Sequence, residues 1–235
     1  YDVAERAAKY HLLVDYHGVY KPTGLQRTYP NAINFEGVHG LETMKWLGAV
    51  HDQITYDVTL PYIRGAAGPM DYTQGAMCNA AKGYYYPNYS RPMSQGTRCH
   101  QLAMYIVYNA PLTMLCDSPT AYEKEPEYTQ FLAQIPTEWL TKSCFEGEIG
   151  EYVVMHTRSK DSKAQYIAGL NGNTPRSVEV EIPQIIDYCN DKIEIFIDGP
   201  NAMTDGSDYQ HITLTAKEFY KRYGHKPLKI DMAAG

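Results

Sequence analysis

The periodicity of this chain changes once, near residue 141, and that single change limits what it can fold into. Up to about residue 140, short apolar runs alternate with polar loops and helix-spaced segments. Asp2 to Tyr10 carries Val3, Ala4, Ala7 and Ala8 at helical spacing and runs into His11 to Gly18, a short buried strand with a polar end. A helix is predicted from about Leu41 to Val50, and a strand at Met70 to Thr73. A helix from Gly96 to Asn109 follows, with Ser94 as its cap and Leu102, Tyr105, Ile106 and Tyr108 as its buried stripe. Leu112 to Cys116 reads as a strand closed by Asp117-Ser118-Pro119, and Glu127 to Ile135 as a last helix.

Strand, long polar loop and helix in repeated order is what an α/β barrel produces, with its chemistry at the C-terminal ends of the strands. His17, Glu36, Asp71 and Asp117 lie at or just beyond such ends. A closed barrel needs about eight units and about four are present, so residues 1–140 are read as the second half of a (β/α)8 TIM barrel. Tyr1 to Arg6 has no signal-peptide character and reads as the interior of an amphipathic helix, so the chain is expected to begin inside a larger protein.

From residue 141 to 235 the segments are short and β-rich. Strands are predicted at Glu151 to Thr157, Lys163 to Leu170, Ser177 to Ile182, Lys192 to Asp198, His211 to Thr215 and Lys226 to Met232. Asn171-Gly172-Asn173, Asp198-Gly199-Pro200 and Asp205-Gly206-Ser207 are turn signals between them. Val178 to Ile182 alternates strictly, as a half-exposed antiparallel strand does. An antiparallel β-sandwich domain is expected here, supporting the α/β part.

Composition excludes several classes. With 44% hydrophobic residues the chain can bury a sizeable core. A net charge of −6 argues against a nucleic-acid partner, which requires clustered Lys and Arg. No apolar run approaches the roughly 18 residues of a membrane span. Cys78, Cys99, Cys116, Cys144 and Cys189 lack metal-ligand spacing, and an odd, unpatterned set argues against a disulfide framework. The 22 Tyr suit sugar contact and half-buried strands alike.

No dinucleotide fingerprint, phosphate-binding loop, nucleophile elbow or zinc-protease motif is present. What remains is Glu36 and Glu42, on either side of Gly37-Val38-His39-Gly40 at the start of a predicted helix. Such a pair can hold a divalent cation or supply a general acid; equally, it can serve as helix N-terminal acids that satisfy free amides. Spacing alone leaves both readings open.

Residues 12–46 carry further information. Leu-Leu-Val-Asp-Tyr-His-Gly from residue 12, Lys-Pro-Thr-Gly-Leu-Gln-Arg-Thr-Tyr-Pro-Asn from residue 21, Asn34 to Glu42, and Lys45-Trp46 together resemble glycoside hydrolase family 97. The resemblance continues through Asp57 to Pro61, Ala67 to Thr73, Pro111-Leu112, Glu125-Pro126-Glu127 and Gly150-Glu151-Tyr152, spanning both textures. It implies an N-terminal β-sandwich, a central (β/α)8 barrel and a C-terminal β domain, of which this chain covers the later barrel strands and the last domain. It also implies cleavage of α-linked galactosides or glucosides with a calcium ion in the active site, and a periplasmic or secreted location.

Under the resemblance, Glu42 matches the general acid and a calcium ligand, and Glu36 a second calcium-ligand glutamate. The position after the strand-end His distinguishes two stereochemical branches. An inverting member has Glu there as base and calcium ligand; this chain has Gly18, as in the retaining branch. That branch uses an Asp nucleophile on the preceding barrel strand, which would lie before Tyr1, so the chain by itself is expected to be inactive. An α-galactoside is favoured over an α-glucoside as substrate.

His17 can contact a sugar hydroxyl or be a capped structural residue. Arg27 can orient Glu42 or line the pocket, or pair with a nearby carboxylate. Asp71 can contact sugar or anchor its loop. Trp46 is expected in the core rather than as a sugar platform, and Asn88-Tyr89-Ser90 matches a glycosylation acceptor. The competing class is a non-catalytic sugar-binding or structural module, against which stands the intact motif around Glu36 and Glu42. Half a barrel exposes strand edges, so self-association through them is expected.

Overall fold

The computed structural model describes residues 1–48, 50–181 and 191–235. The chain opens with α1 (Asp2–Lys9), whose first turn holds Asp2 and Glu5 and whose last turn holds Arg6 and Lys9, as the helix dipole favours. Strand β1 (Val14–Tyr16) then leads through α2 (Leu25–Thr28) to β2 (Ala32–Phe35). The two strands pair in parallel, with Asp15 beside Asn34 and Tyr16 beside Phe35.

The expected helix from Leu41 to Val50 is instead a five-residue 3-10 turn, Leu41–Lys45. Its bonds run from i+3 to i, as from Trp46 N–H to Thr43 O at 3.1 Å, and Trp46 leaves the helical backbone. Helix α3 (Gln53–Thr59), unanticipated from the sequence, follows. Two of the side chains it buries are polar, Gln53 and Asp57, so its inward face carries little hydrophobic signal. Asp57 accepts from the Tyr72 hydroxyl at 2.5 Å and from Gln53 at 2.8 Å.

Residues 70–73, expected as a strand, form no assigned strand, and Thr73 stands at φ +60, outside the extended region. Their amides and carbonyls go to three different segments: Met70 N–H to Asn109 O, Asp71 N–H to Phe35 O, and Leu41 N–H to Tyr72 O. A short parallel pair, β3 (Asn79–Ala80) and β4 (Ser94–Gln95), precedes α4 (Arg98–Val107). Ser94 is therefore a strand residue, and the cap of α4 is Thr97, whose hydroxyl accepts from His100 N–H at 3.1 Å. Gly96, at φ +91, turns the chain between them. Residues 112–116 form no assigned strand, and Leu112, Met114 and Leu115 stay exposed. Helices α5 (Pro119–Glu123) and α6 (Pro126–Leu132) each begin at a proline, where no amide partner is needed.

Strand β5 (Trp139–Glu148) begins the β-rich part, with β6 (Tyr152–Ser159) and β7 (Gln165–Asn171) completing an antiparallel sheet in the order β5-β6-β7. β8 (Arg176–Val180), β9 (Lys192–Asp198) and β10 (Tyr209–Thr215) follow. Ile182, the last residue of the predicted third strand, lies outside the described residues. An unexpected helix, α7 (Ala216–Tyr223), is set by a capping box between Thr215 and Glu218. β11 (Leu228–Met232) pairs antiparallel with β8, and β10 with β9. Val154 of the three-stranded sheet packs on Val178 and Val180 of β8, with Ile167, Ile230 and Met232 around them, so antiparallel sheets face one another as in a sandwich.

The largest core crosses the change of texture. Met44, Val58, Leu60, Tyr72 and Met104 from the α/β part are buried together with Val153, Ala168 and Leu170 of β6 and β7. Each of the Val, Leu and Met side chains among them contributes roughly 1.5–3 kcal/mol by leaving water. Polar ties reinforce the contact: Tyr62 donates to Tyr152 O at 2.7 Å, and Lys142 donates to the carbonyls of Ile106 and Tyr108, both at 2.7 Å. Cys78, Cys99, Cys116 and Cys144 are free thiols; Cys189 lies outside the described residues. Among the described residues, no helix is long and apolar enough to cross a membrane.

Candidate functional site

The parallel pairing of β1 and β2 aims both strand ends the same way, and the polar residues that follow each strand therefore meet. His17 follows β1 and Glu36 follows β2. The His17 ring lies between two carboxylates, with Nδ1 3.3 Å from Glu36 Oε2 and Nε2 3.2 Å from Asp71 Oδ2. Glu36 also accepts the Gly18 N–H at 2.5 Å. Gly18 stands at φ +64, a conformation that side chains disfavour, and this turns its amide onto the carboxylate. Gly37, at φ +46, allows a close approach: a Cβ there would lie 2.5 Å from Lys21 N.

Glu42 rides on the 3-10 turn and is exposed. One ligand atom from each of His17, Glu36 and Glu42 lies within 4.8 Å of the others. The structure thus gathers four of the six candidate residues suggested by the sequence: His17, Glu36, Glu42 and Asp71. Arg27 is exposed on α2, and among the described residues it forms no ion pair. Asp117 is a loop anchor, accepting Met77 N–H at 2.8 Å and Ser118 N–H at 2.7 Å.

Beneath His17 lies a polar floor that sequence reasoning missed. Asp15 of β1 sits beside Asn34 of β2, whose amide donates to Asp15 Oδ2 at 3.3 Å. Asp71 is only 2% exposed. Burial raises its carboxyl to about 6, and the neighbouring Asp15 pushes the same way, while His17 opposes them. Asp15 Oδ1, Asn34 Oδ1 and Asp71 Oδ2 are buried without an aligned hydrogen bond, so the His17–Asp71 approach is an electrostatic contact rather than an aligned one. The available signal was an Asp inside the apolar run Leu12-Leu13-Val14-Asp15.

Arg64 was missed as well. Its guanidinium is buried and donates to the carbonyls of Phe35, Glu36, Gly37, Gly68 and Pro69 at 2.9 to 3.2 Å. It clamps the backbone that carries Glu36 to the backbone leading into Asp71. Nothing in the sequence around Arg64 marks this role.

The donor set decides which cation suits it. A hard dication such as calcium takes about six to eight oxygen ligands and has little use for imidazole. Glu36 and Glu42 fit that requirement. Both ring nitrogens of His17 already face carboxylates, so His17 fits as the group that orients Glu36 rather than as a ligand. Chemically, the site offers one carboxylate held in place by an amide and an imidazole, and a second, exposed carboxyl on the turn beside it.

Two family models match the chain: "Glycoside hydrolase 97" over residues 1–38, and "Glycosyl-hydrolase 97 C-terminal, oligomerisation" over residues 138–235. A retaining alpha-galactosidase of Bacteroides thetaiotaomicron is 48% identical over all of this chain, which spans 34% of that protein. A probable retaining alpha-galactosidase of Streptomyces bingchenggensis is 27% identical over 86% of the chain, which covers 29% of it. The chain thus spans about a third of the length of the curated relatives it matches. Among solved structures, a glycoside hydrolase family 97 enzyme from Pseudoalteromonas sp. strain K8 in complex with panose matches at TM-score 0.78 and 26% identity, over 98% of this chain and 34% of its own. A beta-arabinopyranosidase at 20% identity and TM-score 0.79, over 99% of this chain and 35% of its own, shares the fold.

Proposed function

The chain belongs to glycoside hydrolase family 97, and from that premise we propose that the whole protein is a retaining α-glycoside hydrolase, most simply an α-galactosidase, with Glu42 as its acid/base. Residues 1–140 are then the second half of its (β/α)8 catalytic barrel and residues 141–235 its C-terminal sandwich. The parallel pairs β1-β2 and β3-β4 support the first assignment. The observation that carries the reading is the convergence of His17, Glu36 and Glu42 at the exits of two parallel strands.

In the proposed mechanism, Glu42 protonates the leaving glycosidic oxygen as the bond to the anomeric carbon breaks. It is exposed, so it can reach a substrate oxygen and recover a proton from solvent. An Asp nucleophile from the barrel strand ahead of Tyr1 takes the sugar; water, deprotonated by Glu42, then releases it. Two inversions give net retention, which needs the two carboxyls about 5 Å apart. Gly18, in place of a carboxylate, leaves that position without a base and fits this branch. Glu36 and Glu42 would hold a calcium ion, which when bound supplies positive charge that orients the carboxylates and polarises the site. His17 orients Glu36, and His17, Asp71 and Arg27 are the proposed contacts to an α-linked oligosaccharide. A periplasmic or secreted location is part of the same proposal.

The test uses the whole protein with aryl α-galactoside and α-glucoside, with and without a calcium chelator, beside Glu42→Gln. The expected result is retention of configuration, preference for galactoside, loss of activity with the chelator, and a fall of about 10²–10⁴-fold in the variant. Preference for glucoside would select the α-glucosidase reading within the same family. Activity indifferent to both chelator and substitution would remove Glu42 and the metal from the mechanism, leaving this chain as a non-catalytic, sugar-binding part of an enzyme whose acid/base lies elsewhere.

A further inference from the structure

Trp46, expected in the core, is 53% exposed, and Tyr89 beside it is 73% exposed. Their ring centroids lie 6.4 Å apart at an interplanar angle of 30°, and the Lys45 ammonium stands 5.9 Å from the Tyr89 ring centre. Large exposed rings are tolerated where a ligand with an apolar face covers them, and a sugar ring has such a face. The pair is also built rather than accidental. Buried Tyr85 donates to Met44 O at 2.7 Å and to Leu47 O at 2.9 Å, fastening the Tyr-rich loop to the turn that carries Glu42. Asn88 Oδ1 accepts from Ser90 N–H and Arg91 N–H, fixing the bend at Tyr89.

The decisive fact is position. Lys45 follows Glu42 by three residues at the end of the same short turn, and Trp46 comes immediately after it. A group that protonates a leaving oxygen must stand beside the leaving sugar, so what adjoins Glu42 adjoins the aglycone. We propose that Trp46 and Tyr89, flanked by Lys45, form the platform on which the leaving-group sugar stacks while Glu42 protonates the oxygen that joins it to the anomeric carbon. Lys45 offers ammonium donors to the hydroxyls at the edge of that sugar. The proposal rests on the role of Glu42 given above and adds the subsite that binds the departing half of the substrate.

The experiment compares two substrates of the whole protein. Melibiose has a leaving sugar; α-galactosyl fluoride has none. In the Trp46→Ala and Tyr89→Ala double variant, the ratio of kcat/KM for melibiose to that for the fluoride should fall roughly tenfold, mostly through KM. Trp46→Phe with Tyr89→Phe should restore much of it, which separates stacking from a folding defect. An unaltered ratio, including one in which both substrates decline together, overturns the platform. If the unmodified protein hydrolyses neither substrate, the α-galactosidase reading fails on its own. Saturation-transfer NMR with glucose then reads the platform without turnover: a signal abolished in the double variant sustains it as a sugar site, and a signal absent or unaltered overturns it.

Discussion

Arg64 is a cation buried among carbonyls, with no carboxylate among the partners of its side chain in the described residues. A guanidinium can serve five acceptors because its donors form a rigid planar fork; an ammonium has three donors on one atom. Arg64→Lys should therefore leave buried carbonyls unsatisfied and destabilise the fold by about 2–4 kcal/mol. Urea unfolding should show this as a lower midpoint with an unaltered slope. Two of the released carbonyls belong to Phe35 and Glu36, so the whole protein should also lose activity in conditions where the variant remains folded. A midpoint unchanged within error would mean that the clamp is dispensable.

At the scale of elements, α3 is held by one residue that does three tasks. Asp52 caps the helix through Thr55 N–H at 3.1 Å, pairs with Lys82 at 2.8 Å, and accepts from Asn173 of the β-rich part at 2.9 and 3.0 Å. Burial pushes its carboxyl up, but the hydrogen bonds from Lys82, Asn173 and Thr55 outweigh that and hold it at about 2. A folded-state value below the ordinary 3.8 means that the ionised form stabilises the fold above pH 4. That stabilisation is lost as pH falls from about 4 through 2. Asp52→Ala should cost about 1–2 kcal/mol at pH 7, and its melting temperature should converge on that of the unaltered protein towards pH 2. A gap independent of pH would show that packing, not charge, is what Asp52 supplies.

For the molecule as a whole, apolar residues are exposed on both the α/β and the β-rich part. Leu12, Leu13, Leu112 and Leu115 are exposed on the α/β part. On the β-rich part, β5 lies at one edge of its sheet and exposes Leu140 and Phe145. Residues 138–235 match a model described as an oligomerisation domain. Sedimentation of this chain should accordingly give a mass above that of a monomer, rising with concentration. A compact monomer at high concentration would count against self-association through either surface.

What the sequence determined by itself was whatever is written locally and repeated. The switch of period near residue 141 announced parallel pairs followed by antiparallel sheets, because side-chain alternation and turn residues act over a few neighbours. The run from Leu12 to Trp46 was specific enough to indicate the family, and within it Glu36 and Glu42 were legible as a pair. Tertiary structure decided the rest. α3 escaped because Gln53 and Asp57, which look solvent-facing, are buried by hydrogen bonds to Tyr72 and to one another. α4 took Thr97 rather than Ser94 as its cap because Ser94 was drawn into a strand. Trp46 was read as core from helical spacing, but the turn ends before it and leaves it outside. Asp15, Asn34 and Arg64 gained their roles only when strands distant in sequence came side by side. A buried polar group is defined by its partners, and partners many residues away leave no mark on the local pattern.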